Sequence, residues 1–176
     1  YAMAFLTYFT AFFWFLGIVL YQQNFQFSWA SLPTFGMRVF LEIILTYVSI
    51  KAIIESSRST FSFVRVGTMP LLLLVDLLSG YQISLIQIMG IGIIALAILV
   101  VFKNHGLEKK GLGYAALSTL LAVATISLYK YDISHFNSVA TEQFLTIAIL
   151  LAYFYVAAFI SSRKNPIKLL LNPVFF

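Results

Sequence analysis

The sequence predicts an all-α integral membrane protein with six transmembrane helices. The first reason is composition, because the chain is 61% hydrophobic and only 10% charged, with a mean hydropathy of +0.97. Soluble domains carry about 25% charged residues, and a soluble chain of this size could not bury so much apolar surface in one core. The second reason is that the apolar residues form long runs without the strict alternation of a transmembrane β-strand.

Six of these runs are long enough to cross a bilayer, which takes about 20 residues in a helix. They are predicted at 1–21, 34–54, 60–79, 83–102, 111–131 and 139–160, and a seventh run begins near Ile167. The connections between them are short and polar. Consecutive helices are therefore expected to run antiparallel, and no room is left between them for a soluble domain.

Charge and residue usage exclude several classes of function. The formal charge of +5 is explained by loop residues that set membrane topology, and no basic stripe with interleaved aromatics predicts nucleic-acid binding. The chain has no cysteine, and its two histidines lie in separate loops without a metal-ligand spacing. It also has no nucleophile or phosphate-binding motif. We expect no catalytic site, no metal and no cofactor.

The two ends and an internal similarity predict a fragment of a longer, repetitive protein. Residue 1 is Tyr and lies already inside an apolar run, and the chain stops within another such run. The stretch FLTYFTAFFWFLGIVLY from Phe5 can be aligned with FLTIAILLAYFYVAAFI from Phe144. This alignment predicts an internal repeat. With an odd number of helices per repeat, the second copy would enter the membrane upside down.

One stretch, 48–102, combines several features in a fixed order. A helix ends in a Lys-Ala pair, a Ser-rich junction follows, the next helix has a proline in mid-membrane, and a short glycine turn leads to a helix that opens with Gln and Gly. The corresponding residues are Lys51, Ala52, Ser56, Ser57, Pro70, Gly80, Gln87 and Gly90. In order and spacing these features resemble the drug/metabolite transporter superfamily, specifically its EamA-like family, and also the nucleotide-sugar transporters of that superfamily.

The resemblance covers about residues 34–160 and implies ten helices in two inverted repeats of five. It places 1–102 as helices two to five of the first repeat, 103–110 between the repeats, and 111–176 at the start of a truncated second repeat. Many relatives carry Glu after the Gly of the short turn. Here Tyr81 follows Gly80, so a role of that Glu does not transfer.

The resemblance implies a secondary transporter that moves a small polar metabolite by alternating access, in the bacterial plasma (inner) membrane. The residues leave two other classes open, an intramembrane enzyme and a structural membrane subunit. An enzyme of this kind needs several acidic or histidine residues at the interface, and the chain has only six acids and two histidines, so we expect no enzyme. The expected partners are a small-molecule substrate and the lipid bilayer; a dimer stays open.

Four residues are predicted to form the substrate site. Glu42 lies near the middle of the second run and Arg65 lies inside the third. An ionised group at the bilayer centre costs roughly 2.5–3.5 kcal/mol, so both side chains are expected to face protein or water. Tyr47 and Thr68 are expected beside them. For Arg65, snorkelling to the membrane surface is an equal alternative.

The remaining charged residues are expected at the membrane–water boundary. Lys51 is expected to snorkel, Asp76 to lie at a helix end near water, and Lys130 and Asp132 to serve as interfacial anchors.

Two arguments about orientation disagree. Most of the basic loop residues lie in 51–58, 103–110 and 163–168, which places the loop KNHGLEKKG in the cytoplasm by the positive-inside rule. The family register, with a cytoplasmic N-terminus, places the same loop outside. The charge rule acts on residues that are present, so the cytoplasmic location is our prediction.

Overall fold

The computed structural model describes residues 1–23, 25–105 and 109–162, and all regular secondary structure in these ranges is helical. The helices are α1 (Ala2–Gln22), α2 (Leu32–Glu55), α3 (Arg58–Val66), α4 (Thr68–Leu78), α5 (Leu85–His105), α6 (Leu112–His135) and α7 (Val139–Ser162). A single turn of 3-10 helix, Trp29–Ser31, precedes α2. The all-helical prediction is confirmed. Each of the six predicted runs lies on a helix, except that the third run is divided between α3 and α4.

Four helical segments in the described part are long and apolar enough to cross a membrane, namely 4–22, 58–78, 112–135 and 139–161. The apolar part of α5 is shorter, Leu85–Val100. Helix α2 is not among the four, and it carries four charged residues, Arg38, Glu42, Lys51 and Glu55. A membrane protein is therefore compatible with the structure, while the six-span arrangement stays a prediction. The predicted run near Ile167 and the centre of the loop KNHGLEKKG lie outside the described residues.

The chain divides into two compact units, one formed by Tyr1–Val39 with Tyr131–Phe176 and the other by Phe40–Lys130. Helices α2 and α6 each pass from one unit into the other. The predicted division into repeats at 103–110 stays a prediction.

In the first unit, α1 packs along α7 through a row of aromatic rings. Phe5 and Tyr155 have ring centroids 5.7 Å apart, Tyr8 stacks on Phe154 at 5.5 Å, and Phe12 lies 5.3 Å from Phe144. The α1 members are spaced by three and four residues, so they share one face of the helix. The opposite side of α1 stays open, with Trp14 exposed by 71%, which suits contact with lipid acyl chains.

In the second unit, the span 58–78 is interrupted at Gly67. Pro70 has no N–H group and cannot donate to the carbonyl of Val66, four residues earlier. The N–H of Gly67 turns instead to the carbonyl oxygen of Val64, at 3.1 Å. Pro70 therefore coincides with a local change of hydrogen-bond pattern three residues before it.

The helices of the second unit begin with local capping bonds. Ser57 accepts a hydrogen bond from the N–H of Thr60 at the start of α3, at 3.3 Å. Before α5, Ser84 and Gln87 form a reciprocal capping box, with bonds of 3.3 and 2.9 Å. Gly80, at φ 77°, supplies the left-handed residue of the α4–α5 turn.

Gly111 marks a close approach of two backbones in the second unit. Its φ is 73°, and a Cβ atom built on it would lie 2.6 Å from the backbone nitrogen of Ser56. The start of α6 therefore packs against the junction between α2 and α3, and only a residue without a side chain fits there.

Candidate functional site

The interruption of the span 58–78 is surrounded by polar contacts. Arg65, half-buried in the last turn of α3, donates from Nη1 to the carbonyl oxygen of Ser118 on α6, at 3.1 Å. Thr68, buried at the start of α4, donates its hydroxyl to the carbonyl oxygen of Arg65 at 2.6 Å. The hydroxyl of Thr119 on α6 donates to the carbonyl oxygen of Val64, at 3.3 Å. Helix α6 thus satisfies polar groups on the N-terminal side of the break.

Glu42 lies close enough to Arg65 for an electrostatic interaction. It is half-buried on α2, and its carboxylate interacts electrostatically with the guanidinium of Arg65. Tyr47 is placed differently, because its side chain is 48% exposed and its ring centroid lies 5.9 Å from Nζ of Lys51. Of the four predicted substrate residues, Thr68 is hydrogen-bonded to Arg65, Glu42 interacts electrostatically with Arg65, and Tyr47 lies beside Lys51.

A second polar cluster lies in the first unit, and sequence reasoning missed it. Arg38 on α2 donates from Nη1 to Oε1 of Glu142 on α7 at 2.8 Å, and from Nη2 to Oε1 of Gln143 at 3.2 Å. Both members of the ion pair are buried, with Arg38 4% exposed and Glu142 0%. A buried ion pair needs further hydrogen bonds to offset the loss of hydration.

The turn between α6 and α7 supplies those hydrogen bonds. Nδ2 of Asn137 donates to Oε2 of Glu142 at 2.6 Å and to the hydroxyl of Ser31 at 2.9 Å. Oδ1 of Asn137 accepts from the N–H of Ser28, at 2.9 Å. Asn137 therefore ties the segment before α2 to the first turn of α7 and fixes the position of the Glu142 carboxyl.

Asp132, which was expected as an interfacial anchor, is fully buried. Thr34 on α2 donates its hydroxyl to Oδ1 of Asp132. Its other oxygen, Oδ2, is buried and has no hydrogen-bond partner in the described part of the chain. The Asp132 carboxyl lies within hydrogen-bonding reach of the carboxyl of Glu142. Asp132, Glu142 and Arg38 therefore form one buried group of three ionisable side chains.

A signal for this cluster was present in the sequence. Glu142 is the sole charged residue in the sequence of α7, and the cost of a charge in lipid, applied to Glu42, applies equally to it. Its partners could not be read from the sequence, because Arg38 and Asp132 reach it only through tertiary packing.

A third polar contact lies in the second unit, between Asp76 near the end of α4 and Lys130 on α6. Nζ of Lys130 lies 2.7 Å from Oδ1 of Asp76, and 3.8 Å from the centroid of the Tyr81 ring. The side chains of Lys130 and Asp76 are 37% and 30% exposed, so water reaches this pair. Asp76 lies near a helix end, as expected. Tyr81, the residue after Gly80, faces this lysine with its ring.

We expect Asp76→Asn to lower the free energy of unfolding by less than about 1 kcal/mol, because partly exposed ion pairs contribute little. The amide keeps an oxygen acceptor for Lys130, and the ring of Tyr81 still faces the ammonium group. Unfolding of the full-length protein in mixed detergent micelles measures the change. A loss as large as that expected for Arg38 below would contradict this assignment.

Comparisons of the chain with protein-family models, with curated proteins and with solved structures find no match.

Proposed function

We propose that the chain is part of a secondary transporter that moves a small polar metabolite across a membrane by alternating access. The observation that carries this proposal is the interrupted apolar span 58–78, with Arg65 and Thr68 on either side of Gly67. Discontinuous transmembrane helices form the substrate sites of many transporter folds. An ionisable residue inside a membrane span is most simply explained by a substrate or ion pathway.

The sequence adds independent support. The ordered features of 48–102 resemble EamA-like proteins, and six predicted spans would correspond to helices two to seven of a ten-helix, inverted-repeat transporter. In that arrangement α2 and α5 also cross the membrane, and the location is the bacterial inner membrane. The large exposed apolar side chains of α5, such as Ile86 at 82%, would then contact lipid or further helices.

The proposed role of each of the four residues follows from the charge and the position of its side chain. Arg65 would bind a carboxylate, phosphate or other electron-rich group of the substrate. Glu42 would hold the guanidinium when the site is empty and release it to the substrate. Thr68 would add a hydroxyl at the break, and Tyr47 would contact the substrate from α2. Removing the charge of Arg65 should then reduce transport more than it reduces the yield of folded protein.

The test is uptake by proteoliposomes that contain the full-length protein, with a panel of labelled amino acids, sugars and nucleotides as probes. We expect Arg65→Gln to reduce the uptake of the transported probe by at least tenfold. Arg58→Gln is the matched control, because Arg58 lies on the same helix α3 and is exposed; this variant should keep near-normal uptake.

Both variants must elute as folded, monodisperse protein for the comparison to count. Equal uptake by Arg65→Gln and by Arg58→Gln would overturn the assignment of the site. Uptake no higher than in empty liposomes for every probe would overturn the transporter proposal.

A further inference from the structure

The positive and negative side chains in the described part of the first unit are unequal in number. In its described part they are Arg38, Asp132 and Glu142, and all three are buried. One cation therefore faces two carboxyl groups out of contact with water. Two neighbouring carboxyl groups in such an environment do not both ionise, because the repulsion between them is not screened.

The hydrogen bonds show which oxygen lacks a donor. Glu142 accepts from Arg38 at one carboxyl oxygen and from Asn137 at the other. Asp132 accepts from Thr34 at Oδ1, whereas Oδ2 is buried without a donor and its carboxyl lies next to that of Glu142. A proton on Oδ2 would convert this oxygen from an unsatisfied acceptor into a donor to Glu142.

We propose that the Asp132–Glu142 carboxyl pair is a proton-binding site, which holds one proton between the two side chains while Arg38 balances the remaining negative charge. The proton is taken up from water as H⁺ and forms an O–H bond to a carboxyl oxygen. Binding leaves one guanidinium, one carboxylate and one neutral carboxyl group in the cluster. Loss of the proton leaves one guanidinium and two carboxylates, which is a buried net charge of −1.

The groups that face the pair are accounted for on each neighbouring element. Helix α2 contributes Arg38 and Thr34, the α6–α7 turn contributes Asn137, and the sequence of α1 contains no charged residue. The imidazole ring of His135, at the end of α6, is exposed, and its Nδ1 lies 2.9 Å from the carbonyl oxygen of Tyr131. Among the residues that the structure describes, Arg38 is thus the cation that sets the charge of the site.

A proton suits this site better than a metal cation. The described residues contain no group of three or more His, Cys, Asp or Glu side chains placed to hold a metal ion. The guanidinium of Arg38 beside the pair would repel Na⁺ or Mg²⁺. A proton needs one oxygen with a free lone pair and a neighbouring acceptor, and Asp132 and Glu142 supply both.

Infrared spectroscopy of the full-length protein in lipid nanodiscs tests the site directly. At neutral pH we expect a carbonyl stretching band of a protonated carboxyl group that shifts in deuterated water. Either Asp132→Asn or Glu142→Gln should abolish the band, because the carboxyl that remains is balanced by Arg38 and ionises. Both changes retain an oxygen acceptor at the site.

Asp76→Asn is the matched control and should keep the band, since Asp76 is partly exposed and paired with Lys130. Absence of the band from the unaltered protein at neutral pH would overturn the proposal, even if the variants fail to fold. Persistence of the band in both folded cluster variants would also overturn it. Loss of the band on adding NaCl at constant pH would show that a metal cation competes for the site, contrary to the proposal.

In the transporter proposed above, this proton would be the coupling ion, and that step rests on the proposed function. Proteoliposomes with an imposed pH gradient test it, using the probe that the protein transports. We expect Asp132→Asn to abolish accumulation driven by the gradient while exchange of labelled for unlabelled probe continues. Gradient-driven accumulation that equals that of the unaltered protein would overturn coupling at this site. The infrared band does not depend on transport, so failure of the transporter proposal leaves the proton site separately testable.

Discussion

Replacing Arg38 with Met is expected to lower the free energy of unfolding by about 3–5 kcal/mol, the range measured when one partner of a buried ion pair is removed. Arg38 is 4% exposed and its partner Glu142 is 0% exposed. Without the guanidinium, the carboxyl groups of Glu142 and Asp132 lose the one buried counter-charge that the described part of this unit supplies. Unfolding of the full-length protein in mixed detergent micelles gives the change in free energy.

The control is Arg58→Met, which removes an exposed arginine from α3 and should cost little. The double variant Arg38→Met with Glu142→Gln should be less destabilised than the sum of the two single variants, because it removes both charges of the pair. Equal stabilities of Arg38→Met and Arg58→Met would show that the ion pair contributes nothing to folding.

Gly111→Ala is the other substitution for which we expect a large loss of stability. Its φ of 73° is unfavourable for alanine, by about 1–2 kcal/mol for the left-handed region alone. The added Cβ would also lie 2.6 Å from the nitrogen of Ser56 and 2.8 Å from the carbonyl carbon of Glu55. Backbone atoms cannot move aside as the end of a flexible side chain can, so the start of α6 must shift.

Gly113→Ala provides a close comparison, because Gly113 lies two residues later, in the first turn of α6. A Cβ atom at Gly113 would meet nothing within 4 Å, and alanine in a helix is favoured over glycine by at most about 1 kcal/mol. This variant should therefore unfold at the same or a slightly higher detergent fraction. If both alanine variants unfold alike, the close approach of Gly111 to Ser56 is not needed for stability.

The positions of the helices could be predicted because hydropathy and length are local properties. The run 139–160 is apolar along nearly its whole length, with Glu142 as its one charged residue, and the structure places α7 within two residues of that range. Pro70 indicates that the helical hydrogen bonds of the third run are interrupted. The break lies at Gly67, directly after Val66, whose carbonyl cannot accept a hydrogen bond from Pro70.

The buried cluster could be predicted only in part. A lone Glu142 in an apolar helix indicates a polar partner, but no local pattern identifies Arg38, 104 residues earlier in the chain. The prediction that Asp132 is an interfacial anchor was wrong for a related reason. Its position near the end of α6 is typical of interfacial residues, whereas Thr34 and Glu142 enclose it from two other elements. Pairings of this kind are set by tertiary packing, which sequence periodicity does not report.

The aromatic row between α1 and α7 has a consequence for biogenesis. Phe5 and its partner Tyr155 are synthesised on the order of ten seconds apart, at about 5–20 residues per second. Through that interval the aromatic face of α1 cannot pack against α7. In a membrane protein it would contact lipid, the insertion machinery or a chaperone instead. The first unit therefore closes late, after α7 has left the ribosome. Slowed translation upstream of α7 should prolong the interval in which the nascent chain is open to quality-control proteases.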